Sequence, residues 1–228
     1  MSTTTMNPNR TVSSANTRKM ATLAMLATIA YVVMYFLRIP IWSFLKYDPK
    51  DIVIVIAGFI YGPLSACVVS VVVSLLEMIA VSDTGWIGFV MNVLSTCAFA
   101  CTAAFIYSKM HTKTGAIVGL TVGVVFMVAV MLLWNYLITP LYMEMTREVV
   151  AGMLIPIFLP FNLLKGGLNM AFTLLLYKPL ITALRRANLL PESTGKNSTD
   201  HLSAGVILLA LIILLTAVLT ILVAKGIF

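Results

Sequence analysis

The sequence predicts an all-α integral membrane protein: a bundle of six helices followed by one additional C-terminal transmembrane helix. Three observations predict it. Of 228 residues, 61% are hydrophobic and only 10% charged, with a mean hydropathy of +1.03, a balance that no soluble domain of this size carries on its surface. The apolar residues form continuous runs instead of alternating with polar ones, which excludes a transmembrane β-barrel and leaves helices to satisfy the backbone in lipid. The net charge of +7 is spread as short basic clusters between those runs, the pattern of the positive-inside rule and not of nucleic-acid binding.

Residues 1–18 read as a polar cytoplasmic tail. The apolar run that follows, from about 20 to 37, is long enough to span. It ends in Arg38, Ile39 and Pro40 instead of a small-residue cleavage site, so it is a first membrane helix and not a signal peptide. Further runs lie at about 51 to 62, 64 to 82, 86 to 108, 115 to 138 and 157 to 182. The second is short and stops at Gly62 and Pro63, which predicts a partial or tilted span turning tightly into the next. Together they make residues 19–186 a six-helix membrane domain. A polar linker, 187–202, leads to the extra transmembrane helix, 203–225, which contains no polar functional residue.

Orientation follows from Lys and Arg. With the amino terminus in the cytoplasm, Arg10, Arg18, Lys19, Lys109, Lys113, Lys178, Arg185, Arg186 and Lys196 all lie inside. The outer connections then hold Arg38, Lys46, Asp48, Lys50, Asp51, Asp83, Glu144, Arg147 and Glu148. The extra helix places the carboxyl terminus outside.

This frame assigns a depth to every polar residue within the apolar runs. Glu77, Asn92, Asn135, Asn162 and Lys165 fall in the outer half, whereas the inner halves are almost wholly Val, Leu, Ile, Ala and Phe. A lysine at the bilayer centre costs roughly 2.5 to 3.5 kcal/mol on insertion scales, so each such group needs a partner or a polar pocket. Amides that bond neighbouring helices, and a structural Glu77–Lys165 ion pair, are the simpler accounts. Their clustering at one depth favours a pocket open to the outside. Asn162, Lys165 and Asn169 share one helix face, with Gly166 and Gly167 leaving room beside them. Trp134, Tyr136 and Tyr142 fit either an interfacial aromatic belt or a stacking surface for a flat heteroaromatic ring. The segments 38–50, with Trp42 and Phe44, and 141–155 are candidate gates over such a pocket, the first equally readable as an interfacial segment on the lipid.

Several chemistries lack their residues. GxxxxGKS/T, HExxH and GxSxG are missing, and the two histidines, His111 and His201, lie in polar connections. Cys67, Cys97 and Cys101 fall in apolar runs without metal-ligand spacing and read as small buried hydrophobes; no metal site is expected.

Three segments, LKYDPKDIVIVIAGFIYGP (45–63), WNYLITPLY (134–142) and LPFNLLKGGLN (159–169), together resemble the riboflavin-specific S components of energy-coupling factor (ECF) transporters. The resemblance covers residues 20 to about 186. It implies a six-helix S-component bundle that binds riboflavin as transported substrate, with no cofactor. It also implies a transmembrane coupling subunit and two cytoplasmic ATPase subunits as partners, the chain itself being no enzyme. The substrate-binding candidates are Asn135, Asn162 and Lys165, with Trp134, Thr139 and Tyr47 from the same motifs and Glu77 and Asn92 at the same depth. Partner-binding candidates on the first helix are Ala21, Ala24, Ala27 and Thr28, although their spacing departs from the family's four-residue row of small side chains. An S component for another heterocyclic vitamin, or a self-sufficient ion-coupled carrier, are the alternatives. The seventh helix departs from the six-helix pattern.

Overall fold

The computed structural model describes residues 8–42, 45–82, 84–189 and 204–224. In chain order the elements are α1 (Pro8–Phe36), β1 (Ile39–Trp42), β2 (Leu45–Tyr47), α2 (Lys50–Tyr61), α3 (Pro63–Ala80), α4 (Gly85–Met110) and α5 (Lys113–Met143). Then come α6 (Arg147–Met153), a π-helical turn (Leu154–Phe158), α7 (Leu159–Arg186) and α8 (Ala204–Ala224). From Arg147 to Arg186 the chain is one rod of 40 residues, so the architecture is six rods plus α8. Among the described residues, six helices are long and apolar enough to cross a membrane; α2, at 12 residues, is not among them.

The short helix α2 is the centre of the bundle. A helix apolar on every side must be enclosed, and ten of its 12 residues are buried against α1, α3, α4 and α7. Gly58 makes the approach possible: a Cβ there would stand 2.8 Å from the Ala104 Cβ and 3.0 Å from that of Ala66. Gly62, at φ +90°, turns the chain into α3, whose first residue, Pro63, needs no helical N–H donor.

Three connections differ from expectation. The polar tail is helical from Pro8, because α1 extends through Arg18 and Lys19. The segment from Arg38 to Lys50 folds into an antiparallel hairpin, pairing Ile39 with Tyr47 and Pro40 with Lys46. The expected gate over 141–155 is mostly helix: α5 continues past Pro140 to Met143, the chain turns at Glu144 (φ 53°), and α6 begins at Arg147. Residues 1–7 of the tail, linker residues 190–203, Phe44 and Asp83 lie outside the described residues, and Trp42 is described by its backbone alone.

Helix α8 packs on α7, where a Cβ on Gly167 would meet Ile213 at 3.4 Å. It also closes a small apolar cluster in which Ala217 joins Ile41, Tyr47, Phe161, Leu164 and Leu168.

Candidate functional site

At the end of the bundle where α3 hands over to α4 and α5 terminates lies a cavity of about 380 Å³. This falls within the roughly 300 to 1,000 Å³ typical of small-molecule sites. The hairpin, α3, α4, α5 and α7 all contribute walls. Polar groups come from Arg38, Lys46, Asp48, Glu77, Ser82, Thr84, Asn92, Ser95, Asn135, Asn162 and Lys165, and apolar surface from Leu45, Met91, Met131, Met143, Tyr142 and Phe161.

Five of the eight expected substrate-binding residues, Glu77, Asn92, Asn135, Asn162 and Lys165, line this one cavity. Trp134, Thr139 and Tyr47 do not. Trp134 packs against the apolar core, with its indole Nε1 buried and unpartnered. Thr139, fully buried, donates its hydroxyl to Asn135 Oδ1 at 3.0 Å and so stands behind the amide. Tyr47 donates to Asn169 Oδ1 at 3.0 Å. Tyr142 is the one residue of the expected aromatic trio that reaches the cavity; Tyr136 faces outward beneath Arg147, whose guanidinium carbon is 5.8 Å from the ring centroid.

Charges placed in the outer connections by sequence are interior. Lys50 is fully buried, Asp51 is 1% exposed and Asp48 4%. Lys50 pairs with Glu77 and, at 3.4 Å, with Asp48. Arg38 reaches Glu77 at 3.5 Å and donates to Val81 O at 3.4 Å. Lys165 pairs with Asp51 at 3.5 Å, not with Glu77. Asp51 further accepts from Thr96 Oγ1 at 2.6 Å and from Asn169 Nδ2 at 3.1 Å. The ion pairs form two groups, Arg38 and Lys50 with Glu77 and Asp48, and Lys165 with Asp51, so that three cations face three carboxylates.

The hairpin end of the cluster carries two shifted titrations. Burial alone raises the Asp48 carboxyl, but the ammonium of Lys50, with Lys165 and Arg38, outweighs it and holds the group below the usual carboxylate range. Burial, reinforced by Asp51 and Asp48, pushes the Tyr47 phenol upward, so it remains a donor to Asn169.

Two cavity amides are held by their own helices. Asn135 Nδ2 donates to Met131 O at 2.8 Å while its Oδ1 accepts from Thr139. Asn162 Nδ2 donates to Phe158 O at 2.7 Å. Phe158 ends the π-helical turn, and the cause of that turn is readable. Pro156 and Pro160 remove two N–H donors one turn apart, and the helix widens so that Leu159 N–H reaches Leu154 O. Each amide keeps a second N–H and carbonyl lone-pair capacity for a ligand edge.

Outside the cavity, α1 corrects the expected partner face. Ala21, Ala24 and Thr28 are exposed, but Ala27, at 7% exposure, belongs to the core with Leu26 and Ala30. Cys67 of α3 converges with Cys97 and Cys101, one turn apart on α4, the three sulfurs lying within 4.8 Å of one another.

Apolar helices enclosing a polar cavity with ion-paired walls at one end define a membrane-embedded binding protein for a small polar molecule. Its fold aligns with the solved S component of a bacterial ECF transporter at a TM-score of 0.63, with 28% identity over 75% of this chain and 99% of that one. The chain belongs to the family of ECF transporter, substrate-specific components, whose sequence model matches residues 18–177. It is 31% identical over 192 residues to the riboflavin transporter FmnP of Bacillus subtilis (strain 168), covering 75% of this chain and 98% of that protein. It is 30% identical over 191 residues to the riboflavin transporter RibU of Staphylococcus aureus (strain TCH60), covering 79% and 100% respectively.

Proposed function

We infer that the chain is the riboflavin-binding subunit of an ECF-type importer, capturing the vitamin from outside in the cavity bounded by Asn92, Asn135, Asn162 and Lys165. The observation that carries this reading is the pairing of the buried charges at the cavity, Arg38 and Lys50 with Glu77 and Asp48, and Lys165 with Asp51. Unpaired buried cations would select anions; ion-paired side chains beside cavity amides suit an uncharged polar ligand. An isoalloxazine presents such an edge, with carbonyl acceptors and an N–H donor. Asn135 and Asn162 pair with both kinds of group, and Lys165, oriented by Asp51, donates to a carbonyl. Met91, Met131 and Phe161 meet the ring faces, sulfur being a favourable neighbour of aromatic rings.

Capture takes place outside because Lys109, Lys113, Lys178, Arg185 and Arg186 mark the opposite end as cytoplasmic, together with the amino terminus. The chain is not an enzyme in this scheme. Import relies on a transmembrane coupling subunit and two ATPase subunits, with Ala21, Ala24 and Thr28 as the contact row on α1.

The test is titration of the purified protein with riboflavin, flavin fluorescence being quenched on binding. Saturation at nanomolar ligand, and no response to a panel of other heterocyclic vitamins, is the expected result. No quenching at micromolar riboflavin overturns the reading. Uptake by vesicles that contain this chain alone under an ion gradient overturns the need for partners.

A further inference from the structure

We propose that the opposite end of the bundle contains a second site, for a phosphate group. A cavity of about 220 Å³ lies there between α4, α5, α7 and α8. Two polar atoms in its wall have no partner: the Thr173 hydroxyl, on a residue with no exposed surface, and the buried Lys178 ammonium nitrogen. A buried ammonium without an acceptor is costly, and the neighbouring rings of Phe59, Tyr107 and Tyr177 line the same cavity.

The surroundings specify the sign of the missing ligand. Thr112 and Lys113 line the cavity at the start of α5, so the positive end of a 31-residue helix dipole forms one wall. His111 adds two ring nitrogens, and no Asp or Glu occurs among the lining residues. An anion with several acceptor oxygens satisfies Lys178 and Thr173 together, which a carboxylate does less completely than a phosphate. Val206 of α8 and Leu174 of α7 give the cavity an apolar side, so an acyl-linked phosphate has a route out between the helices. The shared chemistry is therefore a phosphate, supplied by an anionic phospholipid headgroup or by the free ion.

The full-length protein in nonionic detergent, analysed by native mass spectrometry, separates these sources. Phosphatidylglycerol should be retained about tenfold more than diacylglycerol with the same chains. Lys178→Met and Thr173→Val should each abolish most of that preference, whereas Lys109→Met, at an exposed lysine of the same end, should leave it intact. Thr173→Val, which nearly preserves volume, keeps the test valid if Lys178→Met does not fold. Displacement of the lipid by millimolar inorganic phosphate, but not by chloride at equal ionic strength, identifies the free ion as a competent ligand and also supports the site. Equal retention of the two lipids, or retention insensitive to both substitutions, overturns it. Neither result depends on which vitamin occupies the outer cavity.

Discussion

Lys165, in the second turn of α7, has its ammonium 3.5 Å from the Asp51 carboxylate at the start of α2. The pair ties the wall of the outer cavity to the most enclosed helix of the bundle. Asp51 also accepts from Thr96 and Asn169, so residues of three elements, α2, α4 and α7, hold the carboxylate that orients the ammonium.

Removing one partner of such a pair leaves an uncompensated buried charge. Asp51→Asn should destabilise the protein by about 3 to 5 kcal/mol, and Lys165→Met by a similar amount. The double variant should recover a substantial part of that loss. Thermal unfolding in detergent measures it, and additive losses in the double variant would contradict the coupling.

Ligand affinity should separate the cavity amides from their neighbours. Asn162→Ala and Asn135→Ala should each weaken riboflavin binding by roughly 5- to 150-fold, the equivalent of about 1 to 3 kcal/mol for hydrogen-bonding groups left unpaired. Trp134→Phe, which alters a residue outside the cavity lining, should change the dissociation constant less than about twofold. Fluorescence titration of the three variants decides it; a Trp134 effect as large as that of Asn162 would move the ring site toward α5's other face.

Acid should act through Asp48. Its carboxyl is depressed in the folded state, so the stability it contributes is fully present above the ordinary value of 3.8 and is lost as pH falls through the lower folded value. The unfolding temperature should therefore hold as pH is lowered from 7 toward that value and drop only below it. In Asp48→Asn the protein should be less stable at neutral pH and its acid limb shallower. Parallel acid limbs in the two proteins would exclude Asp48 as the group responsible.

Helix α8 should be dispensable for capture but not for robustness. The family match ends at residue 177, and α8 covers Phe161, Leu164 and Leu168 without lining the outer cavity. A chain stopped after residue 189 should bind riboflavin within about twofold of the full chain while unfolding at a lower temperature. Affinity and melting measured on the same preparation check both halves.

Much of the architecture was legible because lipid imposes a simple rule on sequence. Long apolar runs marked the spans, and depth alone gathered Glu77, Asn92, Asn135, Asn162 and Lys165. The triplet Asp48, Lys50 and Asp51 was misplaced for the same reason. Charges beside a short apolar run read as a loop, and only their pairing with Glu77 and Lys165, 27 and 114 residues away, makes their burial tolerable. Trp134 and Asn135 show the finer limit. Neighbours on a helix point about 100° apart, so one motif sends one side chain into the cavity and the next into the core.

The balance of Arg38, Lys50 and Lys165 against Asp48, Asp51 and Glu77 has an electrical corollary. A transmembrane voltage does work of about 2.3 kcal/mol per elementary charge per 100 mV. Because these six side chains sum to zero and the bound vitamin is neutral, displacing the loaded cluster along the membrane normal moves no net charge from these groups. Such a displacement of these six groups would do no net work against the cell's resting potential.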